Sequence, residues 1–193
     1  MRYLTKQNLL SLEDYEKIRD QKKQEILEIK KARSFFIGPD ARVTFENFET
    51  IWFQIQEMLR VEKGGEPQME DEIEAYAPML PQGKDLVLTL FFEISDATVR
   101  HEKLSLWGGV ENHLYLSING EKIYGKNVDN LERTNASGKT SAVHFLKFSF
   151  SDEQIARFKQ KKNIILGFDF KLYSHMTMFL DSNMDRLIED FDG

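Results

Sequence analysis

The chain of 193 residues contains no cysteine. Without thiols it cannot form disulfides, use a thiol nucleophile, build a zinc-thiolate site or ligate an iron–sulfur cluster by itself. A chain without disulfides suits a reducing compartment. We therefore expect no self-ligated iron–sulfur cluster and no zinc-thiolate site, and the sequence leaves the identity of any other cofactor open.

Long apolar runs are also missing. The longest apolar stretch, residues 86–94, contains Thr89 and Glu93 and is far shorter than the roughly 20 residues that span a bilayer. Residues 1–19 are polar and acidic, unlike a secretory signal peptide. The sequence therefore predicts a soluble, cytoplasmic protein with no membrane segment.

Positive charge is in deficit, because 26 Lys and Arg stand against 32 Asp and Glu, which gives a formal net charge of −6. Binding to a phosphate backbone needs clustered Lys and Arg. Nucleic acid is therefore disfavoured as a partner.

Histidine is scarce, and the four histidines form no familiar metal motif. Neither His-Glu-x-x-His nor Glu-x-x-His occurs, so the patterns of zinc proteases and of ferritin-like di-iron proteins are absent. Residues 137–140 (SGKT) resemble the end of a phosphate-binding loop, but Arg133 stands where that loop needs a glycine. We reject a nucleotide-triphosphate site there and expect a turn before a strand.

What the chain does contain predicts an α+β fold. Residues 1–80 show helical periodicity, with Ser11 capping one helix and Asn47 capping another; a hairpin through Asn47 is the alternative. Residues 81–193 are rich in strand-like runs, with Asn119-Gly120 as a strong hairpin signal. We predict one domain, residues 1–193, in which a mainly antiparallel sheet carries helices on one face. The helical part, residues 1–80, and the sheet-rich part, residues 81–193, are not expected to fold independently.

His144 is the most interesting single residue of the predicted sheet. It shares a strand face with apolar side chains, which usually means a core histidine satisfied by a hydrogen bond. The alternative is a proton donor or metal ligand at a pocket rim, with Lys139 and Thr140 just upstream. His144 is accordingly the best single metal candidate.

Charged residues near apolar segments form the second set of candidates. Glu57 and Arg60 lie on successive turns of one predicted helix, where they form either an i,i+3 ion pair or a polar ligand site. Glu93 and Glu111 lie in or beside apolar strands, where a carboxylate must be paired, exposed at an edge or perturbed.

Four strings of the sequence resemble the bacterial domain-of-unknown-function family numbered 3501 over nearly the whole chain. They are residues 9–15 (LLSLEDY), 30–33 (KKAR), Phe45-Glu46 followed by 54–62 (QIQEMLRVE), and 139–146 (KTSAVHFL). The resemblance implies an accessory protein that accompanies rubrerythrin-like and iron–sulfur oxidoreductase proteins. It singles out Glu57, Arg60, Lys139, Thr140 and His144. Family members often have histidine after the aspartate of a Gly-x-Asp string, whereas Asp169 is followed here by Phe170.

Two functions follow as hypotheses. The first is an accessory or interaction partner of a cytoplasmic redox or stress-response system. The second is an enzyme, or a protein that binds a metal or small ligand, with a pocket around Glu57, Arg60, Lys139 and His144. The oligomeric state is left open.

Overall fold

A computed structural model describes residues 3–128 and 139–192. The α-helices in these residues are α1 (Leu12–Ala32), α2 (Phe48–Glu62), α3 (Gly65–Tyr76), α4 (Ala97–Leu106), α5 (Asp152–Lys159) and α6 (Asp181–Ile188). The strands are β1 (Ser34–Ile37), β2 (Ala41–Phe45), β3 (Asp85–Phe92), β4 (Leu114–Ile118), β5 (Glu121–Tyr124), β6 (Lys126–Asn127), β7 (Val143–Ser149), β8 (Ile164–Phe168) and β9 (Met176–Met178).

The strands form two antiparallel sheets, and the α+β prediction is confirmed. The first sheet has the order β1-β2-β3-β7-β6, and the second has the order β5-β4-β8-β9. Each strand pair is antiparallel, as in β3–β7, where Leu90 lies opposite His144.

The main core lies between the two sheets. Alternate residues of β3, such as Leu88 and Leu90, are completely buried there, together with Leu116 of β4 and Leu166 of β8. Ten phenylalanines belong to this core or pack against it among the described residues, which accounts for much of the phenylalanine content: Phe35, Phe45, Phe92, Phe148, Phe150, Phe158, Phe168, Phe170, Phe179 and Phe191. Burial of such rings stabilises the fold through the hydrophobic effect.

The opposite face of the first sheet carries helices. Ile51 and Ile55 of α2 pack with Val87 of β3, Met79 and Leu80 in a second apolar cluster. The architecture is therefore a helical layer, the first sheet and the second sheet. The face of β3 that points to the helices also carries Thr89, a buried polar residue in an otherwise apolar part of the strand.

Side-chain caps explain where the first two long helices begin. The Ser11 hydroxyl accepts the amide of Asp14 at 3.1 Å, and the Asn47 side chain accepts that of Thr50 at 3.0 Å. Each bond satisfies one of the amides that a helix N-terminus leaves without an internal partner. The helix after Asn47 is therefore correct, and the alternative hairpin is not formed.

The hairpin prediction at Asn119-Gly120 is also confirmed. Both residues have positive φ, 52° and 90°, which a two-residue turn between strands requires. Their turn connects β4 to β5 in the second sheet.

Arg33, directly after α1, is 2% exposed and joins three parts of the chain. Its guanidinium donates to the carbonyls of Phe45 (2.9 Å), Glu46 (3.1 Å) and Arg186 (2.5 Å), and it pairs with the carboxylate of Asp190. A buried guanidinium needs such a set of acceptors to offset its lost hydration.

Local differences from the sequence predictions are confined to short segments. β1 was not predicted, because four residues directly after a helix are too few to show strand alternation. The strand-like residues before β4, 110–113, form a 3₁₀ turn. Ser137 and Gly138, in the rejected phosphate-loop string, lie outside the described residues. No helix in the described ranges is long and apolar enough to cross a membrane.

Candidate ligand-binding site

Glu57 and Arg60 hold α2 against α1. The Glu57 carboxylate accepts two hydrogen bonds from the Arg19 guanidinium, at 2.8 and 2.9 Å, and one from the Tyr15 hydroxyl at 2.7 Å. Arg60 donates to Glu16 at 2.7 Å rather than to Glu57. Hydrogen bonds from Arg19 lower the Glu57 pKa despite its partial burial. Both residues are thus occupied by helix–helix contacts.

His144, Thr140 and Glu111 come together, but inside the protein. The His144 Nε2 lies 2.9 Å from the Ser141 carbonyl and 3.1 Å from the Thr140 hydroxyl, which donates to Glu111 at 3.3 Å. His144, Thr140 and Glu111 are 0%, 2% and 4% exposed. This geometry matches the core-histidine interpretation, because a ligand has no access to it.

Lys139 and Glu93 lie at the surface. The Lys139 ammonium is 3.2 Å from the His101 Nδ1 on α4, and the Glu93 carboxylate accepts from Arg42 at 2.5 and 2.9 Å. The Glu93 side chain is 45% exposed, because the residue lies directly after the end of β3 rather than within the sheet.

The structure therefore does not bring Glu57 and Arg60 into contact with Lys139 and His144. The first two face α1, whereas the His144 side chain lies on the opposite face of the first sheet, toward the second sheet. Within residues 3–128 and 139–192, no group of three or more His, Asp and Glu is placed to hold a metal ion.

A different acidic residue, Glu46, is buried and its side chain lines a cavity. It lies between β2 and α2, and its backbone is fixed at both ends, since its amide donates to Val87 and its carbonyl accepts from Arg33. The residue is 6% exposed. Its position just before the N-terminus of α2 favours a negative charge through the helix dipole.

Two hydroxyl groups orient the Glu46 carboxylate. Thr50 of α2 donates to its Oε2 at 2.6 Å, and Thr89 of β3 donates to its Oε1 at 2.6 Å. Among the described residues, no Lys, Arg or His forms an ion pair with this carboxylate. A carboxylate with about four lone-pair sites therefore retains capacity to accept further hydrogen bonds.

That carboxylate belongs to a cavity of about 190 Å³ between the helices and the first sheet. The buried residues that line it are Glu46, Thr50, Ile51, Met79 and Thr89, and the half-buried ones are Lys30, Gln54, Tyr76, Phe91, Val143 and Phe145. A mainly apolar cavity with a few convergent polar groups is the usual composition of a small-molecule site.

Tyr76 and Gln54 add polar groups at the half-buried side of the cavity. Burial raises the pKa of Tyr76, as do the charges of Glu72 and Glu46, while a hydrogen bond with Gln54 acts in the opposite direction. The phenol therefore stays protonated at neutral pH and can both donate and accept a hydrogen bond.

This cavity is where three of the strings noted in the sequence come together. Lys30 comes from residues 30–33, Glu46 and Gln54 from the string of Phe45-Glu46 and residues 54–62, and Val143 and Phe145 from residues 139–146. The strings thus meet through residues other than those first selected from them. The sequence around Glu46 gives little signal of a site, because the residue follows a short strand and belongs to no charge pattern. Thr50, four residues after Glu46, is the one local indication, because its hydroxyl lies close enough along the chain to bind the carboxylate.

A second polar cluster surrounds Asp169 at the end of β8. Its carboxylate accepts from the Lys122 ammonium at 2.8 Å and the Tyr124 hydroxyl at 2.6 Å, and it lies 3.1 Å from the His113 Nδ1. Burial alone would raise the Asp169 pKa, but these hydrogen bonds outweigh it and hold the pKa at about 2. The cluster ties β5 to β8 across β4.

Phe170 has a structural place beside this cluster. Its ring centre lies 5.1 Å from that of His113. The residue directly after Asp169 is therefore held by an aromatic contact.

Comparisons with known proteins give a family but no activity. A family model described as "Protein of unknown function (DUF3501)" matches residues 3–191. A solved structure of a protein of unknown function from Burkholderia pseudomallei is 34% identical, with a TM-score of 0.92, over 99% of this chain and 100% of that one. No curated protein matches the chain.

Proposed function

Because the chain belongs to the DUF3501 family of proteins of unknown function, we propose from its own geometry that it binds a small ligand in the Glu46 cavity. The ligand presents hydrogen-bond donors to the Glu46 carboxylate and an apolar body to the surrounding side chains. The arrangement favours binding over catalysis, because each oxygen of the carboxylate already accepts a hydrogen bond from a threonine hydroxyl.

One observation carries the proposal, namely that Glu46 is almost fully buried beside a cavity and is held there only by hydroxyl groups among the described residues. Burying an ionised carboxylate is costly unless it is paired. A ligand with an ammonium or several N–H groups would supply that pairing, and the cavity gives it room.

A screen of small fragments by ligand-observed NMR tests the proposal. We expect cationic and N–H-rich fragments to bind, purely anionic fragments not to bind, and Glu46→Gln to weaken binding about tenfold or more, since charge-assisted hydrogen bonds are lost. Glu93→Gln at the surface is the matched control. Absence of binding by any fragment class, or binding that E46Q leaves unchanged, would contradict the proposal.

A second proposed role is that of an accessory protein in a cytoplasmic redox or stress-response system, with rubrerythrin-like or iron–sulfur proteins as partners. It is supported by the family resemblance, and the lack of cysteine means that any iron–sulfur cluster of such a system would have to be ligated by a partner. Met176, Met178 and Leu180, which are 66%, 63% and 69% exposed, offer apolar surface for such a contact.

Affinity purification from the native cytoplasm tests this role. Capture of a rubrerythrin-like or iron–sulfur protein by the wild type, and its loss in a Met176→Ser, Met178→Ser variant, would support it. Surface substitution Val99→Ser on α4 is the control. Capture of neither class of protein under mild conditions would count against it.

A further inference from the structure

We infer that the occupant of the Glu46 cavity is a small zwitterion, an aliphatic amino acid, whose ammonium binds Glu46 and whose carboxylate binds Lys30. This inference rests on the proposed ligand binding in the same cavity and specifies the chemical class of the ligand.

Glu46 defines the end of the cavity that takes the ammonium. The carboxylate is fixed in orientation by the hydroxyls of Thr50 and Thr89, each at 2.6 Å. An ammonium has three N–H donors, so a second and a third acceptor are needed. The side chains of Gln54 and Tyr76 line the same cavity and contain acceptor oxygens.

Lys30 defines the opposite charge. It lies in the last turn of α1 and is half-buried at the cavity, whereas the next residue, Lys31, is exposed. Among the described residues, no carboxylate forms an ion pair with the Lys30 ammonium. One cavity thus contains a carboxylate and an ammonium, and neither has an ion-pair partner in the part of the chain that the structure describes. A ligand with both charges compensates both groups, whereas a simple amine or a simple acid compensates one.

The apolar lining and the volume limit the rest of the ligand. Ile51, Met79, Phe91 and Val143 surround the polar groups. The cavity volume of about 190 Å³ corresponds to roughly six water molecules at about 30 Å³ each. A branched aliphatic side chain fits these limits, and burying it contributes through the hydrophobic effect.

Calorimetric titration with leucine and two truncated analogues separates the contributions of the two charges. The first analogue is 3-methylbutylamine, which lacks the carboxylate, and the second is 4-methylpentanoate, which lacks the ammonium. We expect leucine to bind about tenfold or more tightly than either analogue, because each removes one compensated charge.

The variants assign each charge to a residue. Lys30→Met should reduce leucine affinity to that of the amine and leave the affinity of the amine itself unchanged. Lys31→Met, one residue away and exposed, should change neither value. Because Lys30 is only half-buried, its variant tests the inference even if Glu46→Gln is too unstable to purify.

The outcomes distinguish this inference from the proposed function. If the amine binds as tightly as leucine, or if Lys30→Met leaves leucine affinity unchanged, the zwitterion inference is overturned, while Glu46-dependent binding stands. If leucine does not bind but other N–H-rich fragments bind through Glu46, only the zwitterion inference fails. If no compound of any class binds, both fail.

Discussion

The Thr89 hydroxyl donates a 2.6 Å hydrogen bond to the Glu46 carboxylate, although 43 residues separate the two in the chain. Thr89 lies in the middle of β3, and the residues on either side of it in the sequence are apolar. The contact joins the first sheet to the start of α2. The contact therefore orients the Glu46 carboxylate, which is proposed to bind the ligand, and it also contributes to the stability of the fold.

Replacing Thr89 with valine keeps the shape of the side chain but removes the donor. We expect the free energy of unfolding to fall by about 1–3 kcal/mol, because a buried charged acceptor loses one of its partners. Urea denaturation gives the value, and Thr98→Val, at an exposed site on α4, is the control. Equal denaturation midpoints for T89V and wild type would contradict a structural role for this bond.

Glu57 is predicted to act in stability rather than in ligand binding. Its two bonds from Arg19 and one from Tyr15 are half-buried, so Glu57→Gln should lower the free energy of unfolding by about 1–3 kcal/mol. Glu16→Gln, which breaks the more exposed pair with Arg60, should cost less than about 1 kcal/mol. Similar losses in the two variants would show that the partial burial of Glu57 is unimportant.

Asp169 should make stability depend on pH in the acid range. Its folded pKa of about 2 lies below the value of about 3.9 typical of an unfolded chain. Its contribution is therefore present above about pH 4 and is lost as the pH falls toward 2. With its 30% exposure allowed for, we expect Asp169→Asn to cost about 1 kcal/mol at pH 7.

Thermal unfolding of D169N and wild type across pH 7 to 2 checks this sign. The difference in melting temperature should shrink as the pH falls below 4. Asp185→Asn, whose ion pair with Lys161 is more exposed, serves as the control. A difference that grows in acid would reverse the assignment.

Gly167 allows close approach between strands of the second sheet. A Cβ at this position would lie 2.9 Å from the His175 carbonyl oxygen, 2.9 Å from the Tyr115 hydroxyl and 3.0 Å from the Met176 Cβ. We expect Gly167→Ala to cost about 1–3 kcal/mol, since such overpacking moves the backbone. At Gly125 the nearest atoms are 3.5 Å away, so G125A should be nearly neutral. Equal effects in urea denaturation would exclude steric crowding as the cause.

The sequence allowed the fold to be predicted wherever the signal is local. Ser11 and Asn47 mark helix starts through caps, and Asn119-Gly120 marks a hairpin through its turn geometry. The division into two sheets could not be predicted, because strand order depends on contacts between distant segments, such as β3 with β7.

The candidate site was predictable only in part. Three of the strings quoted for the resemblance contribute residues to the Glu46 cavity, but Glu57 and His144 were selected from the strings for their charge or titratable ring. Their partners, Arg19 in α1 and Thr140 before β7, occupy those groups in the fold. Glu46 is a candidate because the fold places Thr89 beside it, and no local pattern in the sequence connects these two residues.

The buried guanidinium of Arg33 has a consequence for the synthesis of the chain on the ribosome. Its carboxylate partner, Asp190, is 157 residues further along the chain. While a ribosome extends the polypeptide, the guanidinium has no such counterion until residue 190 emerges, and burying an uncompensated charge costs several kcal/mol. The end of α1 must therefore remain hydrated on the nascent chain until the segment directly after α6, which contains Asp190, has been made.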